Sequence, residues 1–335
     1  MGTRTFRNWR ILQAAACLAL CGSAPDAPIA PPMTPPPVWG HAPLLTTAGR
    51  ALPASLRGVT VDTTDRLSAM IASVRALRAA PTVRLVLDPG TTPGTYAPAL
   101  GRLRGAAWVM AELVDSEAMA DISAAEAAQR ARMFGAAFRD SVDLWEIGNE
   151  VNGAWVGRSQ AEIDAKVGAM FDVIHGELGK PTALTLNYWA GPQCYGQPWE
   201  ATLTYARAMP ERVRLGVDTV LLSLYETACD PVQRPTARQL VAMFRQLAVI
   251  FPNAKLGIGE IGAQGVVDGL PKEPDLAEKQ RIARRYYGMD AGLRRALGAR
   301  WAGGYFWWYY MRDAVPMGRK DTLWPTLDEL LASME

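Results

Sequence analysis

The stretch Val142-Asp-Leu-Trp-Glu-Ile-Gly-Asn-Glu-Val-Asn-Gly153 decides how the rest of the chain is interpreted. Its first six residues are typical of a buried strand, which ends at Gly148 with an amide and a carboxylate side by side, Asn149 and Glu150. An ionised carboxylate is rarely buried without a partner. The pair is therefore either a satisfied structural pair or a catalytic one, and the residues elsewhere in the chain distinguish the two.

Strand and helix patterns alternate along the chain. Apolar, β-branched runs predict strands at 58–62, 83–88, 106–111, 142–147, 183–187, 219–224, 255–261 and 304–309. Helical patterns occupy 64–78, 124–138, 159–178, 198–209, 236–250, 277–297 and 327–334, whereas 97–103 predicts only a short, weak connection. This alternation predicts an α/β fold, a single (β/α)8 TIM barrel formed by residues 45–335. An open doubly wound sheet is disfavoured because no Gly-x-Gly-x-x-Gly turn follows the first strand.

The composition is that of a globular chain with a large core. Of its 335 residues, 49% are hydrophobic and 20% are charged, and the net charge is +2. The basic residues are scattered among acids, so no nucleic-acid partner is expected. The two histidines, His41 and His175, do not lie at ligand spacing, so we expect no metal and no cofactor. We expect a monomer.

The N-terminus has the pattern of a secretory signal in residues 1–24. Arginines precede the apolar run 11–20, which is too short to span a bilayer at about 20 residues. Residues 18–21 resemble a bacterial lipoprotein box that would attach Cys21 to lipid, although Leu20 is larger than that pattern prefers. Ordinary cleavage near Ser23 or Ala24 is the alternative. Residues 25–44 are rich in proline and predict an extended tether.

We therefore expect an exported protein that is periplasmic, anchored to the outer membrane or secreted. An exported chain meets an oxidising compartment, in which disulfides form. Cys194 and Cys229 each lie a few residues beyond a predicted strand. We expect these two cysteines to form a disulfide between the loops that follow the fifth and sixth strands.

A second glutamate ends another predicted strand. The stretch Leu256-Gly-Ile-Gly-Glu-Ile-Gly262 is the seventh strand, and it carries Glu260 between glycines. The active site of such barrels lies at the carboxyl ends of the strands, so we expect Glu150 and Glu260 to share the barrel mouth. Glycoside hydrolysis needs two carboxyl groups, one that protonates the leaving oxygen and one that attacks the anomeric carbon or activates water.

The two strands resemble those of the clan A glycoside hydrolases, retaining enzymes with Asn-Glu after strand four and Glu after strand seven of a (β/α)8 barrel. The resemblance extends from about Leu56 to the C-terminus. Val151 stands where many members have proline, which leaves the family within the clan open. The resemblance implies that Glu150 is the acid/base and Glu260 the nucleophile. It also implies that Asn149 binds the 2-hydroxyl of a β-linked poly- or oligosaccharide.

Two polar side chains on other strands also have counterparts in the clan. Arg84 resembles the arginine of the second strand that supports the nucleophile, and its alternative is a structural ion pair with Glu146 inside the barrel. Tyr225, which closes the sixth strand, resembles the tyrosine that hydrogen-bonds the nucleophile. Its alternative is an ordinary aromatic residue of the barrel rim.

Three tryptophans are candidates for binding the sugar. Strand alternation puts Trp307 and Trp308 on opposite faces, so one of them resembles the last-strand tryptophan that floors the site. We prefer Trp307. Trp189, after the fifth strand, either lines the cleft or packs against neighbouring loops.

A hypothesis from another class is a barrel that has kept the fold and lost the activity. Such a protein would bind carbohydrate or take part in the assembly of envelope polysaccharide. Hydrolysis of a model glycoside, and its loss in Glu150→Gln, would separate the two hypotheses. A barrel enzyme with metal or phosphate chemistry is disfavoured, because the sequence has neither a ligand cluster nor a glycine-rich phosphate loop.

Overall fold

The computed structural model describes residues 50–267, 270–315 and 317–334, so the predicted signal, Cys21 and the predicted tether lie outside the described residues. The strands are β1 Leu56–Val61, β2 Thr82–Val86, β3 Trp108–Glu112, β4 Leu144–Glu146, β5 Thr182–Asn187, β6 Thr219–Leu224, β7 Lys255–Ile261, β8 Gly265–Val267, β9 Leu270–Lys272 and β10 Trp301–Trp307. Strands β1 to β7 and β10 are parallel and close into a barrel, in which β10 pairs with both β7 and β1. The predicted eight-stranded barrel is confirmed, and β8 and β9 form a separate antiparallel hairpin.

The α-helices connect and surround the strands. They are α1 Leu67–Ala76, α2 Pro93–Leu103, α3 Ser116–Met119, α4 Ala124–Ala137, α5 Gln160–Phe171, α6 Thr202–Ala208, α7 Glu211–Gly216, α8 Ala237–Ile250, α9 Leu276–Tyr287, α10 Asp290–Leu297, α11 Tyr310–Asp313 and α12 Trp324–Ser333. A π-helical segment, Asp172–Glu177, extends α5. None of the described helices is both long enough and apolar enough to cross a membrane.

Two helical predictions were wrong. The segment predicted as a weak connection at 97–103 is part of α2, which starts with Pro93 at a position where a missing N–H does no harm. Burial of Tyr96 and Leu100 on one face stabilises this helix despite Pro98 inside it. The long helix predicted at 277–297 is divided at Gly288, because glycine is a poor helix former and ends α9 there.

Two clusters of apolar side chains make up most of the core. The larger lies between the strands and the helices. The smaller consists of Leu56, Met110, Leu144, Ala183, Leu221, Ala302 and Phe306, all from barrel strands, and it fills the barrel interior. Gly58 makes room for it, since a Cβ there would lie 2.4 Å from the Phe306 ring. The polar side chains described below lie nearer the carboxyl ends of the strands than this smaller apolar cluster.

Cys194 and Cys229 form a disulfide, as the sequence predicts, with their Cα atoms 4.1 Å apart. Both sulfurs pack against Trp189 in a small apolar cluster. The bond joins the loops after β5 and β6, which are neighbouring strands. It therefore links two loops that surround the barrel mouth.

We expect this disulfide to stabilise the fold by about 4 kcal/mol, because it closes a long loop of the unfolded chain. The two cysteines are separated by 35 positions. Chemical denaturation of the double variant Cys194→Ala/Cys229→Ala should show the lost free energy of unfolding. Alkylation of the unreduced, denatured protein should label neither cysteine, and labelling of both would contradict the prediction.

Candidate active site

A β-bulge in β7 turns Glu260 into the barrel. Leu222 of β6 pairs with Ile258, but the next residue, Ser223, pairs with Glu260, so Gly259 is the extra residue of the bulge. A side chain at Gly259 would meet Thr185 and the Cβ of Leu221, 2.6 Å away, so glycine is the residue that fits there. A bulge of this kind re-aims the side chain that follows it. Glu260 therefore faces inward, although strict alternation would place it on the outer face with Ile258.

Three donors surround the Glu260 carboxyl group, which is 4% exposed. The Tyr225 hydroxyl donates to Oε1 at 2.6 Å, and Arg84 Nη1 donates to Oε2 at 2.7 Å. Asn149 Nδ2 lies 3.4 Å from the same Oε2. Burial, followed by the charge of Glu260, raises the pKa of Tyr225 well above its usual value, so the phenol remains a donor. Donors around a carboxylate favour its ionised form.

Arg84 makes both of the contacts that the sequence left as alternatives. Its Nε and Nη2 donate to the two oxygens of Glu146, at 2.7 and 3.0 Å, and its Nη1 donates to Glu260. Thr185 donates a further hydrogen bond to Glu146. Burial alone would lower the pKa of Arg84, but the surrounding carboxylates raise it well above its usual value. The structural ion pair thus holds the guanidinium in the orientation that serves Glu260.

Glu150 lies in the loop that follows β4, and its backbone has a conformation that glutamate rarely adopts. Its φ is +51°, in the left-handed region that favours glycine. Such local strain is concentrated at functional sites. The Ser223 hydroxyl donates to Oε1 at 2.6 Å, and Ser116 lies 3.4 Å from Oε2. Burial, and then the negative charge of Glu260, raises the pKa of Glu150 to about 8.

The two carboxyls are thus set apart by their surroundings. Glu260 has a cation and a phenol to stabilise its charge, whereas the partners of Glu150 are two neutral hydroxyl groups. A pKa raised to about 8 favours the protonated form of Glu150 at neutral pH. A pair of titratable groups with such different surroundings is typical of an acid and a nucleophile.

The preference for Trp307 over Trp308 was wrong. Trp307 is 0% exposed, belongs to the outer core, and donates its indole N–H to Asp313 at 2.9 Å. It pairs along the ladder with Val59, another residue of the outer core. Trp308 lies on the inner side, where the Arg84 guanidinium is 5.2 Å from the centroid of its ring. Strand alternation allows only one of the two side chains to face the site, and it is Trp308.

Trp189 is almost completely buried and packs against neighbouring loops. It is 3% exposed, contacts the disulfide, and meets the edge of the Trp155 ring at a centroid distance of 5.6 Å. These contacts agree with the second of the two alternatives for Trp189, packing against neighbouring loops.

The sequence interpretation missed several polar residues that the fold brings together. Ser116 and Ser223 contact Glu150, and Glu112 lies beside Arg84. Ser223 had a signal in the sequence, since it is a polar residue next to the carboxyl end of the otherwise apolar stretch 220–224 of β6. Glu112 was placed just past its strand, because β3 was predicted to end one residue earlier. In the parts of the chain that the structure describes, no group of three His, Cys, Asp or Glu residues is placed to hold a metal ion.

Solved structures with a similar fold include two β-glucosidases and a virulence factor. The family 1 β-glucosidase from Thermotoga maritima has a TM-score of 0.53 and 11% identity, with 77% of this chain and 88% of that chain covered. The virulence factor SghA from Agrobacterium tumefaciens, solved with its substrate analogue salicin, has a TM-score of 0.51 and 14% identity, with 81% and 84% covered. The GH1 β-glucosidase from Exiguobacterium antarcticum has a TM-score of 0.50 and 14% identity, with 73% and 77% covered.

No protein-family model matches the sequence, and the comparison with curated proteins finds no match. At identities of 11% to 14%, the structural matches show a common fold. The chain therefore has the eight-stranded parallel barrel fold of the family 1 β-glucosidases, which are glycoside hydrolases of clan A.

Proposed function

We propose that the chain is a retaining glycoside hydrolase that cleaves β-glycosidic bonds of a poly- or oligosaccharide. The observation that carries the proposal is the unequal environment of two neighbouring carboxyls. Arg84 and Tyr225 both donate to Glu260, whereas Glu150 has hydroxyl groups as its hydrogen-bond partners and a raised pKa that favours its protonated form. Double displacement requires one ionised and one protonated carboxyl at the same site.

In the first step, the Glu260 carboxylate attacks the anomeric carbon while Glu150 gives its proton to the glycosidic oxygen, which leaves as an alcohol. In the second step, Glu150 takes a proton from a water molecule that attacks the same carbon, and Glu260 leaves as a carboxylate. Two displacements at one carbon retain its configuration. Nuclear magnetic resonance of the first-formed product tests this step, because inversion would contradict double displacement.

Asn149 and Trp308 are the residues proposed to bind the sugar. Asn149 is 1% exposed, and its Oδ1 has no hydrogen-bond partner among the described residues. A buried amide oxygen without a partner is costly, and a sugar hydroxyl would satisfy it. Trp308 is partly exposed and lies over Arg84, so its indole ring is placed to contact the sugar next to the nucleophile.

We also propose that the protein is exported and acts as a monomer, with either lipid on Cys21 or cleavage near Ser23 or Ala24. The disulfide between Cys194 and Cys229 supports an oxidising compartment. The mass of the mature N-terminal peptide distinguishes lipidation from cleavage. Activity against a panel of β-linked polysaccharides tests the substrate class. If the protein binds some of these polysaccharides but hydrolyses none, the inactive, carbohydrate-binding barrel would be favoured.

The pH profile should reveal the proton on Glu150. Because its pKa is raised to about 8, we expect the kcat/KM for a natural glycoside to fall as the pH rises through about 8. The sign follows from the first step, which needs the protonated acid. Removing the Ser223 hydroxyl in Ser223→Ala should move this limb to higher pH, because that hydrogen bond lowers the pKa.

Ser223→Ala should also lower kcat/KM by roughly tenfold, because the Ser223 hydroxyl stabilises the negative charge that develops on Glu150 as it gives up its proton. The matched control is Ser333→Ala on α12, where the hydroxyl donates to the Leu330 carbonyl. It should leave the alkaline limb in place. A wild-type profile that stays flat through pH 8, or a limb that Ser223→Ala does not move, would contradict this assignment.

A further inference from the structure

Two acids that the proposed reaction does not use are buried inside the barrel, directly below the mouth. Glu112 on β3 and Glu146 on β4 are Cα partners across the ladder between these strands. Both are 0% exposed. In the described part of the chain, Arg84 is the cation that contacts them, and it also contacts Glu260.

Arg84 donates hydrogen bonds to two of its three acidic neighbours, Glu146 and Glu260, but not to the third, Glu112. Its Nε carries a single hydrogen, which is donated to Glu146 Oε2 at 2.7 Å, and its Nη2 donates to the other oxygen of Glu146. Its Nη1 donates to Glu260 at 2.7 Å. Glu112 Oε2 lies 3.3 Å from Nε, whose hydrogen is already used. Neither oxygen of Glu112 has a hydrogen-bond partner among the described residues.

A carboxyl group in this position is far more stable with a proton than without one. An ionised carboxylate buried without donors is strongly disfavoured, and two adjacent acids rarely ionise together. The charged groups that face Glu112 are Arg84 from β2, Glu146 from β4, Asp115 from its own loop and Glu260 from β7. Burial, opposed by Arg84 but assisted by the three acids, raises the pKa of Glu112 well above its usual value.

We propose that Glu112 is a positioning residue that keeps its proton throughout the reaction, so that Arg84 divides its charge between Glu146 and Glu260 alone. This inference rests on the proposed function. With Glu112 neutral, one positive charge faces two negative ones. An ionised Glu112 would add a third negative charge beside the guanidinium and oppose ionisation of the nucleophile. The neutral acid thus allows Glu260 to be charged at the pH at which Glu150 still holds its proton.

The proton on Glu112 can be observed without any substrate. Infrared spectroscopy detects the C=O stretch of a protonated carboxyl, and a Glu150→Gln background removes the contribution of Glu150. We expect a band at neutral pH that disappears when Glu112→Gln is added. The matched control is Glu329→Gln, an exposed glutamate that is paired with Arg284, and it should leave the band unchanged.

A spectrum that Glu112→Gln does not alter would overturn the proposal. If the glutamine variant does not fold, Glu112→Met removes the same carboxyl at a similar side-chain length and serves in its place. Because the measurement needs no turnover, it decides the state of Glu112 even if every glycoside tested proves inert. Inert glycosides would instead overturn the proposed function.

Kinetics distinguish positioning from mere structural support. The acid limb of kcat/KM reports the essential base of the free enzyme. We expect Glu112→Gln to leave this limb at the same pH, because a neutral group replaces a neutral group. Glu146→Gln removes the carboxyl group that Arg84 binds through two hydrogen bonds, so this variant should move the limb. It should also lower kcat/KM by roughly 10²-fold, since Arg84 loses the bonds that orient it. An equal shift in both variants would overturn the proposal.

Discussion

Replacing Glu260 with alanine should abolish hydrolysis of every glycoside, with kcat falling roughly 10⁴- to 10⁶-fold. The carboxylate forms the covalent intermediate, and Glu150 cannot replace it, because its partners are hydroxyl groups and its raised pKa favours the protonated form at neutral pH. Initial rates with an activated aryl glycoside and with a natural substrate measure the loss. Glu329→Ala, on the helical surface, is the control and should retain full activity.

The space left by Glu260→Ala gives this variant a second readout. A small anion such as azide or formate can enter the site and attack the anomeric carbon directly. Because that is one displacement, the glycosyl azide should have inverted configuration, while Glu150 still protonates the leaving oxygen. Residual activity close to that of the wild type, or azide product with retained configuration, would show that Glu260 is not the nucleophile.

Replacing Glu150 with alanine should lower the activity by an amount that depends on the substrate. A natural glycoside needs the proton, so its kcat/KM should fall by roughly 10² to 10⁴, the usual contribution of general acid catalysis. An aryl glycoside with a good leaving group needs little protonation and should still form the glycosyl-enzyme. Hydrolysis of that intermediate lacks its base, so a burst of phenol followed by slow turnover should be seen in a stopped-flow trace.

Azide again supplies the control for Glu150→Ala. It needs no general base, so it should accelerate breakdown of the intermediate and give glycosyl azide with retained configuration. The two alanine variants should therefore yield azides of opposite configuration from the same substrate. If both variants lose equal activity on activated and natural substrates, and neither responds to azide, the division of roles between Glu150 and Glu260 is wrong.

The barrel could be predicted because its signals are local and repeated. Apolar runs of strand length alternate with helical patterns, and parallel strands covered on both faces need not alternate in polarity. The boundaries were less predictable. The helix α2 contains Pro98 and owes its stability to burial of Tyr96 and Leu100, and no local pattern reports that burial. The identity of the two candidate carboxyls was also local information, since Glu150 follows a predicted strand directly after Gly148-Asn149 and Glu260 follows Gly259 near the end of another.

The sequence by itself determined which chemical groups this protein has at the ends of β4 and β7, and that both strands belong to one parallel barrel. Tertiary structure alone decided where those groups point. Alternation along β7 would turn Glu260 outward, but the bulge at Gly259 turns it inward. Glycine fits at the bulge because a side chain there would meet the Cβ of Leu221.

The orientation of the neighbouring side chains is likewise a property of the closed barrel. Trp308 faces Arg84 because the ladder turns Trp307 towards the outer core. Glu112 lies beside Arg84 and Glu146 because β2, β3 and β4 are in register. Each of these contacts joins residues far apart in the chain. Their geometry follows from register and packing, which depend on all the strands at once, whereas the identity of each residue is fixed by its own position in the sequence.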